Sequence, residues 1–246
     1  MSELPFGAAE IVAAVAGAER VLDAGCGSGR LTVALAQAGA AVTGVDTNVA
    51  QLGVAAQRAS EAGVALTLRE ADFNDVLPFA DAAFAAVVSR LSVMAAADPV
   101  ATLRELGRML EPGGRVVTGL WASPADNPWF AAPREAVGAV LGAERAAFAR
   151  AFGKLGHLEE AAAAHRTAGL VDVDAVLLHG SRPAPDAAAY WAELSAENGH
   201  FRRVEALLSD DERAALLVEL DQRFAPYREG NRLTLPRTMV LVTAQR

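Results

Sequence analysis

The stretch "VLDAGCGSGR", residues 21 to 30, sets a short apolar run ending in an acid, Asp23, against three glycines, Gly25, Gly27 and Gly29, and a helical pattern, "RLTVALAQAG", follows. A glycine loop between strand and helix brings the backbone close to a ligand, and the first helical turn offers unbonded N–H groups with a partial positive charge. A phosphate-binding P-loop requires the GxxxxGK[ST] spacing with its lysine, and no lysine is near. A dinucleotide fingerprint requires GxGxxG, and its third glycine position is Arg30. Asp23 places an anion where a pyrophosphate is better left unopposed. A cationic ligand is favoured by it.

Outward from this loop, short apolar runs alternate with longer helical patterns, the mark of a parallel sheet covered by helices. Strands are expected near 20–24, 41–45, 65–70, 84–89 and 114–120. "DPVATLRELGRMLEPGG" reads as a helix with Asp98 as N-cap and Pro99 at its first position, stopping at Pro112-Gly113-Gly114. After the fifth strand two tryptophans and several prolines mark an insertion. A helix near 158–168 and a strand near 170–179 resume the core, and a second helical excursion precedes the final strand in "LTLPRTMVLVTAQR". The expectation is an α/β, Rossmann-like, doubly wound sheet of seven strands, mostly parallel with an antiparallel edge strand. The core takes 1–122, 157–182 and 231–246; a helical cap or substrate lid takes 123–156 and 183–230.

A chain of 246 residues with a net charge of −8 and pI near 5.1 lacks the basic surface of nucleic-acid binders, and Arg202-Arg203, its one tight basic pair, reads as a solvated helix face. Of its 22 basic residues only Lys154 is lysine, a skew that fits a GC-rich bacterial genome. The first apolar stretch carries Glu10, Glu19 and Arg20, which argues against a signal peptide or a membrane span and for a cytoplasmic protein. One cysteine, Cys26, excludes an internal disulfide and a Cys-cluster metal site, and no metal is expected.

Further acids follow the second and third strands. Asp46 ends "VTGVD", where a carboxylate can accept ribose hydroxyls, a role common to nicotinamide and adenosyl sites, and Asp72 lies in "ADFND", where it can pair with an adenine amino group while the Phe73 backbone meets the ring. With "VLDAGCGSG" and "LRELGRMLEPGGRVV", these motifs resemble, in order, those of the class I S-adenosylmethionine-dependent methyltransferases, over about residues 18–120. The last is similar to the small-molecule branch typified by quinone-biosynthesis enzymes. The resemblance implies S-adenosylmethionine as cofactor and S-adenosylhomocysteine as product. It implies Asp23, Gly25 and Gly27 around the methionine moiety, Asp46 and Thr47 at the ribose, Asp72 and Phe73 at adenine, and the Ser89 carbonyl with Arg90 at the methionine end. Cys26 fills a slot usual for small residues and is not expected to react.

The sulfonium brings its own leaving group, so methyl transfer by in-line displacement needs mainly alignment and exclusion of water. A base serves only an acceptor that arrives protonated. His157, in "FGKLGHLEE", is the catalytic candidate, His165 and His179 read as structural or exposed, and His200 joins Trp121, Trp129, Phe130 and Tyr190, with Trp191, as substrate-pocket candidates. Packing of cap on core is the equal alternative for these aromatics. The [ND]PP[FY] signature of amino-methylating DNA and glutamine enzymes is absent; "SRLSVM" stands there. The acceptor is expected to be a small molecule, O-, N- or C-nucleophilic, with no nucleic acid or membrane partner and a monomer or homodimer as the assembly. Two rivals stay open: a non-methylating binder of the same cofactor, or rearrangement catalyst, and an NAD-dependent oxidoreductase.

Overall fold

The computed structural model describes residues 4–145 and 154–246. In chain order the elements are α1 (Ala8–Ala14), β1 (Arg20–Ala24), α2 (Arg30–Gln37), β2 (Ala41–Asp46), α3 (Val49–Ala62), β3 (Thr67–Glu70) and β4 (Phe84–Arg90). There follow α4 (Pro99–Arg108), β5 (Leu110–Trp121), α5 (Pro128–Arg145), α6 (Leu158–Thr167) and β6 (Val171–Ala184). Last come α7 (Ala187–Glu197), α8 (Gly199–Glu205), α9 (Asp210–Phe224), β7 (Arg228–Glu229) and β8 (Arg232–Gln245). The described residues of Met1–Ala122, Gly153–Leu178 and Met239–Arg246 form one compact unit, and those of Ser123–Phe152 and His179–Thr238 a second. The breaks expected from sequence were 122/123, 156/157, 182/183 and 230/231.

The strand order of the sheet is β3-β2-β1-β4-β5-β8-β6. The β1–β2, β1–β4, β2–β3 and β4–β5 pairs are parallel, and β8 lies antiparallel to β5, from Arg115 opposite Gln245 to Trp121 opposite Met239. One face packs Leu22, Val87, Leu103, Leu106, Val116 and Val240; the other packs Ile11, Val21, Leu35, Val42, Val88 and Leu241. Both faces are buried beneath helices, as near-continuous apolar strands require.

Two expectations are corrected. The sheet holds eight strands, the extra one being β7, a two-residue partner of β8 across the Gly230-Asn231 turn, with Arg228 opposite Leu233. Glycine followed by asparagine between two strands is a hairpin signal, and Gly230 takes φ 59° there. Second, the antiparallel strand is not at the edge: β8 sits between β5 and β6. Met239 to Val242 is an unbroken buried run, which belongs inside a sheet, whereas β6 is exposed along most of its length.

Helix α4 begins as expected: Asp98 accepts from the N–H groups of Val100 and Ala101, with Pro99 at the first helical position. It ends at Arg108, before the Pro112-Gly113-Gly114 stop. Leu110 already pairs with Phe84, and the ladder shifts register between Phe84 and Ala86, so Glu111 to Gly114 is an irregular stretch of β5. His165 is structural: fully buried, its Nδ1 lies 2.7 Å from the Ala161 carbonyl and its Nε2 3.0 Å from Thr118 Oγ1. His179 is exposed, its Nδ1 3.4 Å from the Thr238 hydroxyl.

Candidate cofactor site

The loop after β1 is held from three sides. The N–H groups of Gly25 and Cys26 donate to the Val45 carbonyl of β2 at 2.8 and 2.9 Å, and Gly27 N–H donates to Asp46 Oδ2 at 2.8 Å. The other Asp46 oxygen accepts from Asn48 N–H at 2.9 Å. Asp46 is therefore a strut between glycine loop and second strand end, with one N–H accepted at each oxygen and lone pairs left over. Gly25 is fixed by conformation and space alike: φ is 78°, and a Cβ there would overlap the Ser92 side chain and lie 3.3 Å from Phe73. Ser92 in turn donates its hydroxyl to the Gly25 carbonyl at 3.1 Å. Gly27 differs, since its φ is 52° and a Cβ would meet nothing within 4 Å. The loop thus opens at Gly27 and closes at Gly25.

Asp23 is 1 % exposed and accepts from the Thr32 hydroxyl on α2 at 2.7 Å. Burial pushes its carboxyl up to about 6, partly offset by the Thr32 hydrogen bond and the nearby Arg90 charge. A carboxylate buried beneath a glycine loop is suited to an ammonium or sulfonium ligand and opposes a pyrophosphate. Cys26 is buried, and a Cβ on Gly44 would lie 3.0 Å from its sulfur; burial first, then Asp23 and Asp46, push the thiol up to about 12, which leaves it unreactive.

Asp72 follows β3, and its Oδ1 accepts from the Asn74 N–H at 2.8 Å and the Asn74 side-chain amide at 2.7 Å. Asn74 Oδ1 accepts from Ala97 N–H at 2.8 Å, tying this loop to the turn after β4. Phe73 packs against the core beside it. Ser89 is buried in β4 with its hydroxyl donating to the Ala24 carbonyl at 2.9 Å, and Arg90 Nε donates to the Phe6 carbonyl at 2.9 Å. Thr47 is exposed just after β2. Asp23, Asp46, Asp72 and Arg90 thus sit at the C-terminal strand ends on either side of the β1–β4 switch, where ligands of doubly wound sheets bind. Thr32, Asn48, Asn74 and Ser92 escaped the sequence reading. Two gave a local signal: Thr32, a hydroxyl on the apolar face of α2, and Asn48, an N-cap of α3 whose side chain accepts from Gln51 N–H.

The other candidates each make contacts of their own. Trp121, half-buried at the end of β5, stacks on Phe6 with centroids 6.2 Å apart. His157 is the exposed N-cap of α6, and its ring makes no cap hydrogen bond. In the second unit Trp129, Phe130, Phe201 and Trp191 form a run of edge-to-face rings at 5.4 to 5.6 Å. Tyr190 is fully buried against Phe224, its hydroxyl donating to the Trp129 carbonyl, so packing accounts for its whole side chain. His200 is exposed on α8 beside Arg203. Asn127, fully buried, bonds the Ser123 and Thr238 carbonyls, the Thr238 N–H and the Trp129 indole, a hub that no sequence pattern marked. Among the described residues no cluster of three or more His, Cys, Asp or Glu is placed to hold a metal, and no helix is long and apolar enough to cross a membrane.

A methyltransferase domain family matches residues 22–118, from β1 to β5. The chain is similar to a ubiquinone biosynthesis O-methyltransferase of Pseudomonas aeruginosa, 38% identical over 98 residues, 40% of this chain and 42% of that one. It is also similar to an uncharacterized protein of Mycobacterium bovis, 41% identical over 103 residues, 42% of this chain and 37% of that one. The match thus spans about two fifths of the length of these curated relatives. Among solved structures, the YcgJ protein of Bacillus subtilis shares the fold over 98% of this chain and 97% of its own, with a TM-score of 0.64 at 18% identity. Residues 22–118 thus match a methyltransferase domain family, on a fold that the chain shares almost end to end with solved structures.

Proposed function

We propose that the chain transfers a methyl group from S-adenosylmethionine to a small-molecule acceptor by in-line displacement, leaving S-adenosylhomocysteine. The observation that carries this reading is the convergence of three carboxylates, Asp23, Asp46 and Asp72, around a loop that opens at Gly27. Asp46 has acceptor capacity left for ribose hydroxyls, Asp72 and Phe73 suit adenine, and Asp23 and Arg90 supply opposite charges for an amino-acid end. When bound, the cofactor supplies an electrophilic methyl group on a sulfonium leaving group. The chain's own contribution is alignment and exclusion of water, worth roughly 7–11 kcal/mol for well-oriented reactants. Trp121 is assigned to the acceptor side, acceptor selectivity to the second unit, and the proton of an acidic acceptor to His157.

Calorimetric titration and methyl labelling test this. S-adenosylhomocysteine is expected to bind and NADH not, and methyl label is expected to move from the cofactor into a small organic product. Asp46→Ala should weaken S-adenosylhomocysteine binding by about 1–3 kcal/mol, the cost of losing a charged hydrogen-bonding group. His157→Ala should slow turnover and leave that binding unchanged. Tight NADH binding with no response to S-adenosylhomocysteine overturns the reading, and a product of unchanged mass puts the chain among rearrangement catalysts.

A further inference from the structure

The segment before α1 carries no motif, yet it is fixed at three points near the methionine end of the site. Gly7, φ 80°, is buried so closely on Met239 of β8 that a Cβ would overlap the thioether sulfur. The Phe6 ring lies on the Trp121 indole with planes 11° apart. The Phe6 carbonyl accepts from Arg90 Nε at 2.9 Å. Strand register explains why these points converge. Asp23 stands opposite Val88, Arg90 lies two residues further along β4 opposite Gly119, and Trp121 two residues further along β5. A Cβ on Gly119 would crowd Met239 Sδ at 3.0 Å and would touch Arg90 Cγ at an ordinary 3.7 Å, so the arginine stem passes directly over this position. Phe6, Arg90 and Trp121 are all only partly buried, so solvent reaches the assembly.

Resting on the cofactor reading above, we propose that Phe6 is a positioning residue for Arg90. The Phe6–Trp121 stack keeps the Phe6 carbonyl on Arg90 Nε, which fixes the guanidinium plane beside Asp23 for the carboxylate of the cofactor's amino-acid end. An arginine fork recognises a carboxylate only when its plane is set, and one anchored N–H sets it. The pair then splits a zwitterion: Asp23 takes the ammonium and Arg90 the carboxylate. The adenosine end lies outside this arrangement, held by Asp46 and Asp72.

That separation gives the test. S-adenosylhomocysteine carries the amino-acid end, whereas 5′-methylthioadenosine has the same nucleoside and thioether without it. Phe6→Ala is expected to weaken S-adenosylhomocysteine about tenfold, as for a charge-assisted contact put out of line, and to leave methylthioadenosine unchanged. Phe6→Leu, which keeps apolar bulk without a stacking plane, should behave like Phe6→Ala, and Phe6→Tyr like the wild type. Arg90→Ala should remove the same discrimination, and adding Phe6→Ala to it should cost nothing more. Equal weakening of both ligands, or of neither, overturns the inference while leaving the cofactor reading intact. A wild-type chain that binds methylthioadenosine as tightly as S-adenosylhomocysteine overturns it too, and one that binds neither overturns both.

Discussion

Asp23 is a carboxylate that the unliganded fold would be more stable without. Its pKa rises from an ordinary 3.8 to about 6 because the site buries it, so the folded chain holds the proton more readily than the unfolded chain does. Below the unfolded value both states are protonated and no penalty exists; the penalty grows between the two values and is complete above the folded one. Asp23→Asn is therefore expected to stabilise the unliganded protein near neutral pH by up to about 3 kcal/mol. The gain should vanish below pH ~4, where both states of the wild type carry the proton. S-adenosylhomocysteine affinity should fall in the same variant. Thermal melts across the pH range check it, and a variant less stable than the wild type at neutral pH sinks the account. The sequence made Asp23 conspicuous because it precedes the glycines. It could not reveal the burial that raises the carboxyl's pKa, nor the Thr32 hydroxyl on α2 and the Arg90 charge, 67 residues away, that partly offset it.

Helix α4 marks the boundary between local and distant information. Its start was legible because an aspartate before a proline caps a helix through contacts no more than three residues long. Asp98→Ala should cost about 1 kcal/mol. Melting temperature should fall by about 2–4 °C for a chain of this size, and an unchanged melt removes the cap from the stability of α4. Its end was misread because Glu111 to Gly114 look like a helix stop and lie instead inside β5, as the irregular stretch between Leu110 and Arg115, which pair with Phe84 and Ala86 of β4. The Asp46 strut followed the same division. Asp46 announced itself at a strand end, whereas its bond to Gly27, 19 residues away, exists only once β1 and β2 lie side by side. Phe6 had no periodicity to betray it, for so short a segment ahead of α1 makes no pattern.

At the scale of the whole molecule, the continuous stretch that resembles the family is not the complete sheet. Residues 239–246 supply a strand between β5 and β6, with Val240, Val242 and Ala244 in the core, and Arg246 N–H donates to the Gly114 carbonyl. A chain stopped after Thr238 should lose that strand and leave β5 with an open edge and an uncovered apolar face. The expected outcome is association on gel filtration and a lost near-ultraviolet circular dichroism signal; a monodisperse protein with the wild-type melt refutes it. The same placement has a cost in time. The ribosome makes β6 first, and only after α7, α8 and α9 does the strand emerge that must separate β6 from β5. At about 5–20 residues per second that interval lasts seconds, long compared with local folding. Throughout it β6 is the wrong neighbour already within reach, so newborn chains of this protein run a race between correct closure and a mispaired sheet.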